Sequence, residues 1–237
     1  MEKVRRERPI IFSGEMVKAI LGGGKTQTRR VVKPQPFHRY RFDGYSYSDS
    51  LAHFIDPQTK TEIISKCPYG APGNRLWVRE TFCLETDFNM GLSDYQPPFQ
   101  DGRPVQWSDD PEWGNFWSQP HYKATDPTPD LCYDDQKEEG PCVKWKPSIH
   151  MPRWASRILL EITGVWVERL NDIMPECLHK EGIPDEVYFS DDPSMPMNWF
   201  RDLWNSINEK RGFGWDKNPW VWVVEFKVVK PCTKLKY

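Results

Sequence analysis

The residues best equipped for chemistry lie in one short stretch, Gly22-Gly23-Gly24-Lys25-Thr26-Gln27-Thr28-Arg29-Arg30. Three glycines permit close backbone approach and positive φ, and an amine, two hydroxyls and two guanidinium groups follow with no acid among them. The asymmetry extends beyond the loop. From Leu21 to Phe42 there are six basic residues (Lys25, Arg29, Arg30, Lys33, Arg39, Arg41) and His38 without one acid, although the whole chain has a formal net charge of −2 and a pI of about 6.2. Such a run either sets up a positive field for an anionic ligand or is a solvated basic loop, and composition leaves both open.

The elements around the loop decide what it can be. Ile10-Ile11-Phe12 reads as a short strand and Ser13 as an N-cap. Met16, Val17, Ile20 and Leu21 then share one face of a short helix that Gly22 ends. Ala19 through Thr26 fits the loose phosphate-loop pattern A-x-x-x-x-G-K-T, but there the Lys-Thr should open a helix after a strand. Here the glycines close a helix, and Thr26, Thr28, Val31 and Val32 favour extended chain, which argues against a nucleotide triphosphatase.

Length and composition set the outer bounds. With 237 residues the chain is long enough to bury a real core, and 12 Trp, 12 Phe and 9 Tyr compensate for a hydrophobic content of only 38%. A slightly acidic protein does not bind nucleic acid indiscriminately, so any such site must be local. No run approaches a membrane span, and the charged start Met1-Glu2-Lys3-Val4-Arg5-Arg6-Glu7-Arg8 has no apolar stretch behind it, so a cytoplasmic protein is expected. Cys67, Cys83, Cys132, Cys142, Cys177 and Cys232 form no C-x-x-C pair, which predicts free thiols, no metal site and no cofactor.

Along the chain, residues 1–8 read as a basic arm and 9–232 as a single domain with loop-rich insertions at about 34–74 and 85–144. Pro34, Pro36, Pro68, Gly70, Pro72 and Gly73 bracket the first. Within the second, residues 85–139 hold thirteen acids against three bases and seven prolines, with Trp107, Trp113 and Trp117, a composition that suits a cover or a protein-partner surface. Leu76 to Glu80 reads as a strand, and Ile158 to Val167 as a long strand bent at Gly164. Pro175 to Glu181 reads as a short helix stopped by Gly182, and Trp199, Phe200, Leu203, Trp204 and Ile207 form one helix face. In the last strand, Trp220, Trp222, Val224, Phe226 and Val228 face one way and Val221, Val223, Glu225 and Lys227 the other. Glu181 at a helix C-terminus sits against the negative end of the dipole, which calls for a partner such as Lys25 or a ligand.

Four ordered segments carry a family resemblance: the helix ending in glycines and Lys-Thr-x-Thr-Arg, then Gly-Asn-Arg-Leu-Trp-Val-Arg-Glu (73–80), Pro-Ser-Ile-His-Met-Pro-Arg-Trp-Ala-Ser-Arg-Ile (147–158) and Asn-Pro-Trp-Val-Trp-Val-Val-Glu-Phe (218–226). Together they resemble ASCH-domain proteins of the phage and prophage type. That resemblance implies an α+β, PUA-like small β-barrel with flanking short helices, associated with RNA binding. One branch of the superfamily hydrolyses the amide of N4-acetylcytidine with a Lys, a Thr three residues later and a Glu. By that likeness Lys25, Thr28 and Glu181 are the candidate catalytic residues, and Gly23, Gly24, Thr26, Arg29 and Arg30 the candidate substrate-binding ones. A lysine of lowered pKa can take the threonine proton, and the alkoxide attacks an acyl carbon. In a straight strand Lys25 and Thr28 point to opposite faces, so this scheme requires a turn between Gly24 and Thr28.

Three readings follow. The first is an amidohydrolase acting on a modified pyrimidine nucleoside, the second a non-catalytic RNA-binding module, and the third a phage accessory protein working through protein contacts at residues 85–139.

Overall fold

The computed structural model describes residues 6–36, 40–46, 50–88, 102–110, 114–127 and 144–229. Eleven strands and four helices occupy them: β1 (Glu7–Ile11), α1 (Gly14–Leu21), β2 (Gln27–Val31), β3 (Arg41–Ser46), β4 (Leu51–Ile55), β5 (Glu62–Lys66), β6 (Arg75–Arg79), β7 (Phe82–Phe88), β8 (Gln106–Asp110), β9 (Gly114–Tyr122), β10 (Leu159–Arg169), α2 (Pro175–Lys180), α3 (Asp185–Tyr188), α4 (Met195–Asn208) and β11 (Trp220–Val229). The architecture is α+β, mostly sheet with few and short helices. Its main sheet has the order β1-β6-β10-β11-β2, and two three-stranded sheets run β3-β4-β5 and β7-β9-β8. That mixed, mostly sheet architecture is consistent with the small β-barrel type expected, and no closed barrel is present among the described residues.

Both insertions differ from the loop-rich reading. β3, β4 and β5 pair antiparallel within the first, and β7, β9 and β8 within the second. Proline and glycine mark the ends of these segments but not their middles, where Leu51, His53 and Ile55 alternate with the buried Ala52 and Phe54. Much of the acidic stretch, including Trp113, lies outside the described residues, as do residues 1–5 of the expected arm, while Glu7 and Arg8 belong to β1.

The chain divides into two compact units, one formed chiefly by Ala19–Leu76 and Leu160–Val229, the other chiefly by Pro9–Lys18 and Trp77–Leu159. In the first, β11 pairs antiparallel with β2, Val223 opposite Arg29 and Val224 opposite Thr28. Alternation sends the side chains of β11 both ways. Val221 and Val223 pack with Leu170, Ile173, Cys177, Leu178, Ile183, Phe200 and Trp204, so α2 and α4 cover that face. On the opposite face Trp220 meets Phe54 with ring centroids 5.2 Å apart, and Trp222 meets Tyr45 at 6.1 Å, so the β3-β4-β5 sheet covers it. Cross-strand partners share a face, which places Arg29 under the helices and Thr28 under the aromatic layer.

The second unit has its own small core of Phe82, Tyr122, Met151 and Ala155. Glu80 and Arg157 form a two-pronged pair beside it, both hydrogen bonds at 2.9 Å, and the Arg157 guanidinium lies 3.9 Å from the Tyr122 ring centroid. Among the described residues no helix is long and apolar enough to cross a membrane.

Phe200 stands between α4 and the helix-covered face of β11, with ring contacts to Trp204 and Trp215. Phe200→Ala is expected to cost about 3–5 kcal/mol in a urea titration. A loss well under 1 kcal/mol would show that this layer is not the one holding the sheet in place.

Candidate functional site

The glycine loop does what its sequence predicts. Ser13 caps α1, its Oγ accepting from the Met16 N–H at 3.4 Å, and Gly23 at φ 80° ends the helix with its N–H on the Ile20 carbonyl. The chain then leaves in extended form. Lys25 pairs with Glu181 in an isolated antiparallel bridge, the Thr26 N–H donates to the Lys180 carbonyl at 2.9 Å, and the Phe226 N–H donates to the Thr26 carbonyl at 2.9 Å. No helix follows the Lys-Thr, as the rejection of a phosphate loop requires.

This path brings Lys25 directly onto Glu181. Lys25 Nζ donates to the Glu181 carbonyl at 2.6 Å and to its carboxylate Oε2 at 3.0 Å, with the two side chains only 2% and 5% exposed. Arg29 takes the other oxygen, Nη1 donating to Oε1 at 2.8 Å. The same guanidinium reaches Glu168, through Nε at 2.8 Å and Nη2 at 2.7 Å, and Gln27 Oε1 at 2.9 Å. Trp166 Nε1 holds the second oxygen of Glu168 at 2.9 Å. At the rim, Glu225 Oε1 accepts from Gln27 and from Lys180, each at 3.2 Å. The inner network is charge-balanced, two cations with two carboxylates. Lys25 also sits at the C-terminal end of α2, where a cation offsets the dipole that disfavours Glu181.

Burial lowers the Lys25 amine below its ordinary 10.5; Glu181 raises it part of the way back, while Arg30 and Arg29 push it down. Burial also acts against the charge of Arg29, but Glu181 and Glu168 outweigh it and raise that pKa.

Of the three residues to which the resemblance assigns catalysis, the structure brings together Lys25 and Glu181. Thr28 is buried but lies on the opposite face of β2, and its hydroxyl has no hydrogen-bond partner among the described residues. The turn that would have rotated it toward Lys25 is absent because the chain is already extended at residue 25. Arg29, expected to bind substrate, instead donates to the Glu181 carboxylate and joins the buried charge network. Arg30 is half-buried, Gly24 is half-buried, and Gly23 and Thr26 are exposed. Residue-by-residue reasoning missed Glu168, Trp166, Gln27 and Glu225. The one available signal was alternation, which puts Gln27 on the face of Arg29 and, in the last strand, separates Glu225 from the tryptophans.

No protein-family model matches the chain, and no curated protein matches it. Among solved structures it is similar to an ASCH domain from Lactobacillus crispatus JV V101, at 17% identity and a TM-score of 0.25, over 32% of this chain and 44% of that one. The chain thus matches less than half the length of that domain. The geometry, not this likeness, carries the functional reading.

Two outcomes test the geometry. Gly182 has φ 85°, and a Cβ there would lie 3.0 Å from both the Ala19 and the Lys25 Cβ atoms. Gly182→Ala should therefore destabilise by about 1–3 kcal/mol from backbone conformation alone, with the clash added, and lower the melting temperature. An unchanged melting temperature would contradict this packing. The second outcome concerns pH. Between the lowered folded value of Lys25 and 10.5 the unfolded chain binds the extra proton, so the contribution of Lys25 to stability rises with pH across that window. Urea titrations of wild type and Lys25→Met at increasing pH should diverge in favour of wild type; a flat or shrinking difference would mean that the amine stays charged throughout.

Proposed function

We propose that Lys25 and Glu181 form the acid–base centre of a hydrolase acting on an acylated pyrimidine nucleoside. The substrate to try first is N4-acetylcytidine, free or within RNA. The observation that supports this is the 3.0 Å contact between Nζ and Oε2, both groups buried, with Arg29 fixing the other carboxylate oxygen at 2.8 Å. Such a pair can hold and move protons with little solvent competition. In this scheme Glu181 takes a proton from water while the water oxygen bonds to the acyl carbon. The ammonium of Lys25 gives its proton to N4 as the C–N bond breaks. A proton then passes from Glu181 to Lys25 across their contact and resets the pair, leaving cytidine and the acid. The substrate class follows from the resemblance of the Lys-Thr-x-Thr-Arg loop to that branch of the ASCH superfamily.

Thr28 has no part in this scheme, because a water replaces its hydroxyl as nucleophile. The amides of Gly23 and Gly24 are assigned to the anionic or carbonyl groups of the substrate, whereas Arg30, opposite Trp222, shares the far face of β2 with Thr28 and is left out.

The near-complete burial of both side chains favours a second reading. Four mutually satisfied charges form a clasp that fixes the end of α2 against β2 and turns nothing over, as in a non-catalytic RNA-binding module.

Release of cytidine, followed by chromatography, separates the two. Lys25→Ala and Glu181→Gln are each expected to lower turnover by about 10²–10⁴-fold, the range for general acid–base groups, and Thr28→Val to change it by only a few-fold. Loss of turnover in Thr28→Val would restore the hydroxyl as nucleophile. Folded wild type that leaves the nucleoside intact would favour the clasp.

A further inference from the structure

Arg29 meets its two carboxylates in unequal ways. Nε and Nη2 both donate to one oxygen of Glu168, at 2.8 and 2.7 Å, whereas Glu181 receives a single hydrogen bond, from Nη1 at 2.8 Å. A guanidinium frequently meets a carboxylate with two parallel hydrogen bonds. Here the second bond to Glu181 is withheld by side chains from three strands.

β11 lies between β2 and β10 in the main sheet, with Val223 opposite Arg29, so the arginine reaches across β11 to Glu168 on β10. Trp166 and Glu168 are two residues apart on β10 and share a face. Trp166 Nε1 holds Glu168 Oε2 at 2.9 Å, which leaves Oε1 for the arginine. On β2 the fully buried Gln27 accepts from Nη1 at 2.9 Å, and its amide is turned that way because Nε2 donates to Glu225 of β11 at 3.2 Å. With the Nε and Nη2 edge spent on Glu168, Arg29 offers only Nη1 to Glu181 Oε1. The other oxygen, Oε2, stays with Lys25 at 3.0 Å.

We propose that Glu168 is a positioning residue for the Lys25–Glu181 pair: it holds Arg29 edge-on, so that Glu181 keeps one carboxylate oxygen for the lysine. This rests on reading that pair as the acid–base centre, and Glu168 acts on it through Arg29. Without Glu168 the guanidinium turns both Nη groups onto Glu181 and displaces the amine. Burial lowers the Lys25 amine, Glu181 raises it, and Arg30 and Arg29 lower it, while Lys180 and Glu225 pair with each other at the rim. A lysine that loses Oε2 while Arg29 stays close therefore gives up its proton at lower pH. In the hydrolytic scheme the ammonium is the general acid, so the alkaline limb of activity moves down with it.

The test has two readouts. In protein carrying isotope-labelled lysine, the NMR resonance of the Lys25 ε-carbon, assigned by its loss in Lys25→Met, is followed against pH, which needs no turnover. Glu168→Gln should lower the Lys25 midpoint by about one pH unit or more relative to wild type. Trp166→Phe, which removes only the N–H that orients Glu168, should lower it by less, and Glu168→Asp, which keeps the charge, should stay nearer to wild type than Glu168→Gln does. In the release of cytidine from N4-acetylcytidine, Glu168→Gln should lower kcat by about tenfold to a hundredfold with KM nearly unchanged, and move the alkaline limb to lower pH. A Lys25 midpoint that is unmoved or raised in Glu168→Gln with unchanged circular dichroism would overturn the proposal, as would a KM effect alone. Should Glu168→Gln fail to fold, an unmoved midpoint in Trp166→Phe overturns it instead. A lowered midpoint in a protein that leaves the nucleoside intact would sustain the positioning of the pair and refute the hydrolase.

Discussion

Two carboxylates and two cations, with Lys25, Arg29 and Glu181 buried and Glu168 half-buried, constrain the first unit more than any other feature. Taking each such ion out of water costs several kcal/mol, and mutual attraction repays that only where geometry is good and the remaining lone pairs are satisfied. Here they are satisfied. Glu181 receives Lys25 on one oxygen and Arg29 on the other, and Glu168 receives Arg29 and Trp166. Removing any one member strands a buried charge, so the network tolerates a single arrangement of β2, β10 and the end of α2. Its contribution is therefore to register more than to net stability.

That register settles the chemistry of the glycine loop. Strand alternation makes neighbours at 28 and 29 belong to different compartments, one under the aromatic layer of Phe54 and Trp220, the other under α2 and α4. Lys25, Gln27 and Arg29 fall on the helix side together, joined by the Glu181 carboxylate and the Gln27 amide. A threonine that looks close in sequence is separated from the lysine by the sheet itself. Spacing of three residues is thus read differently by a turn and by a strand, and the Lys25 bridge to Glu181 shows that the strand geometry begins before residue 27.

Much of this was legible in the sequence where a local rule decides the outcome. The glycine stop of α1, the alternation of β11 and the long strand β10 each follow from residues within one element. The partner of Glu181 was legible for an electrostatic reason, since a carboxylate at a helix C-terminus needs a cation. The strands inside the insertions were not, because prolines and glycines at their ends outweighed short alternations such as that of Leu51 to Ile55. Nor was the Arg29–Glu168 pair, whose members are 139 positions apart and whose meeting depends on strand order, which no local pattern encodes.

The protein handles charge in two opposite ways, and its small net charge of −2 conceals this. In the first unit Lys25 and Arg29 are buried and matched by Glu181 and Glu168, and burial lowers the Lys25 amine. In the second unit Arg157 is matched by Glu80 and Arg103 by Asp126, and Lys144, Lys146 and His150 are held at the surface. A solvated basic loop would need no such anchoring, since free lysines reduce their repulsion by moving apart. Met151 and Ala155 prevent that by fixing the backbone between the charges. The fold thus spends buried contacts on holding like charges near one another.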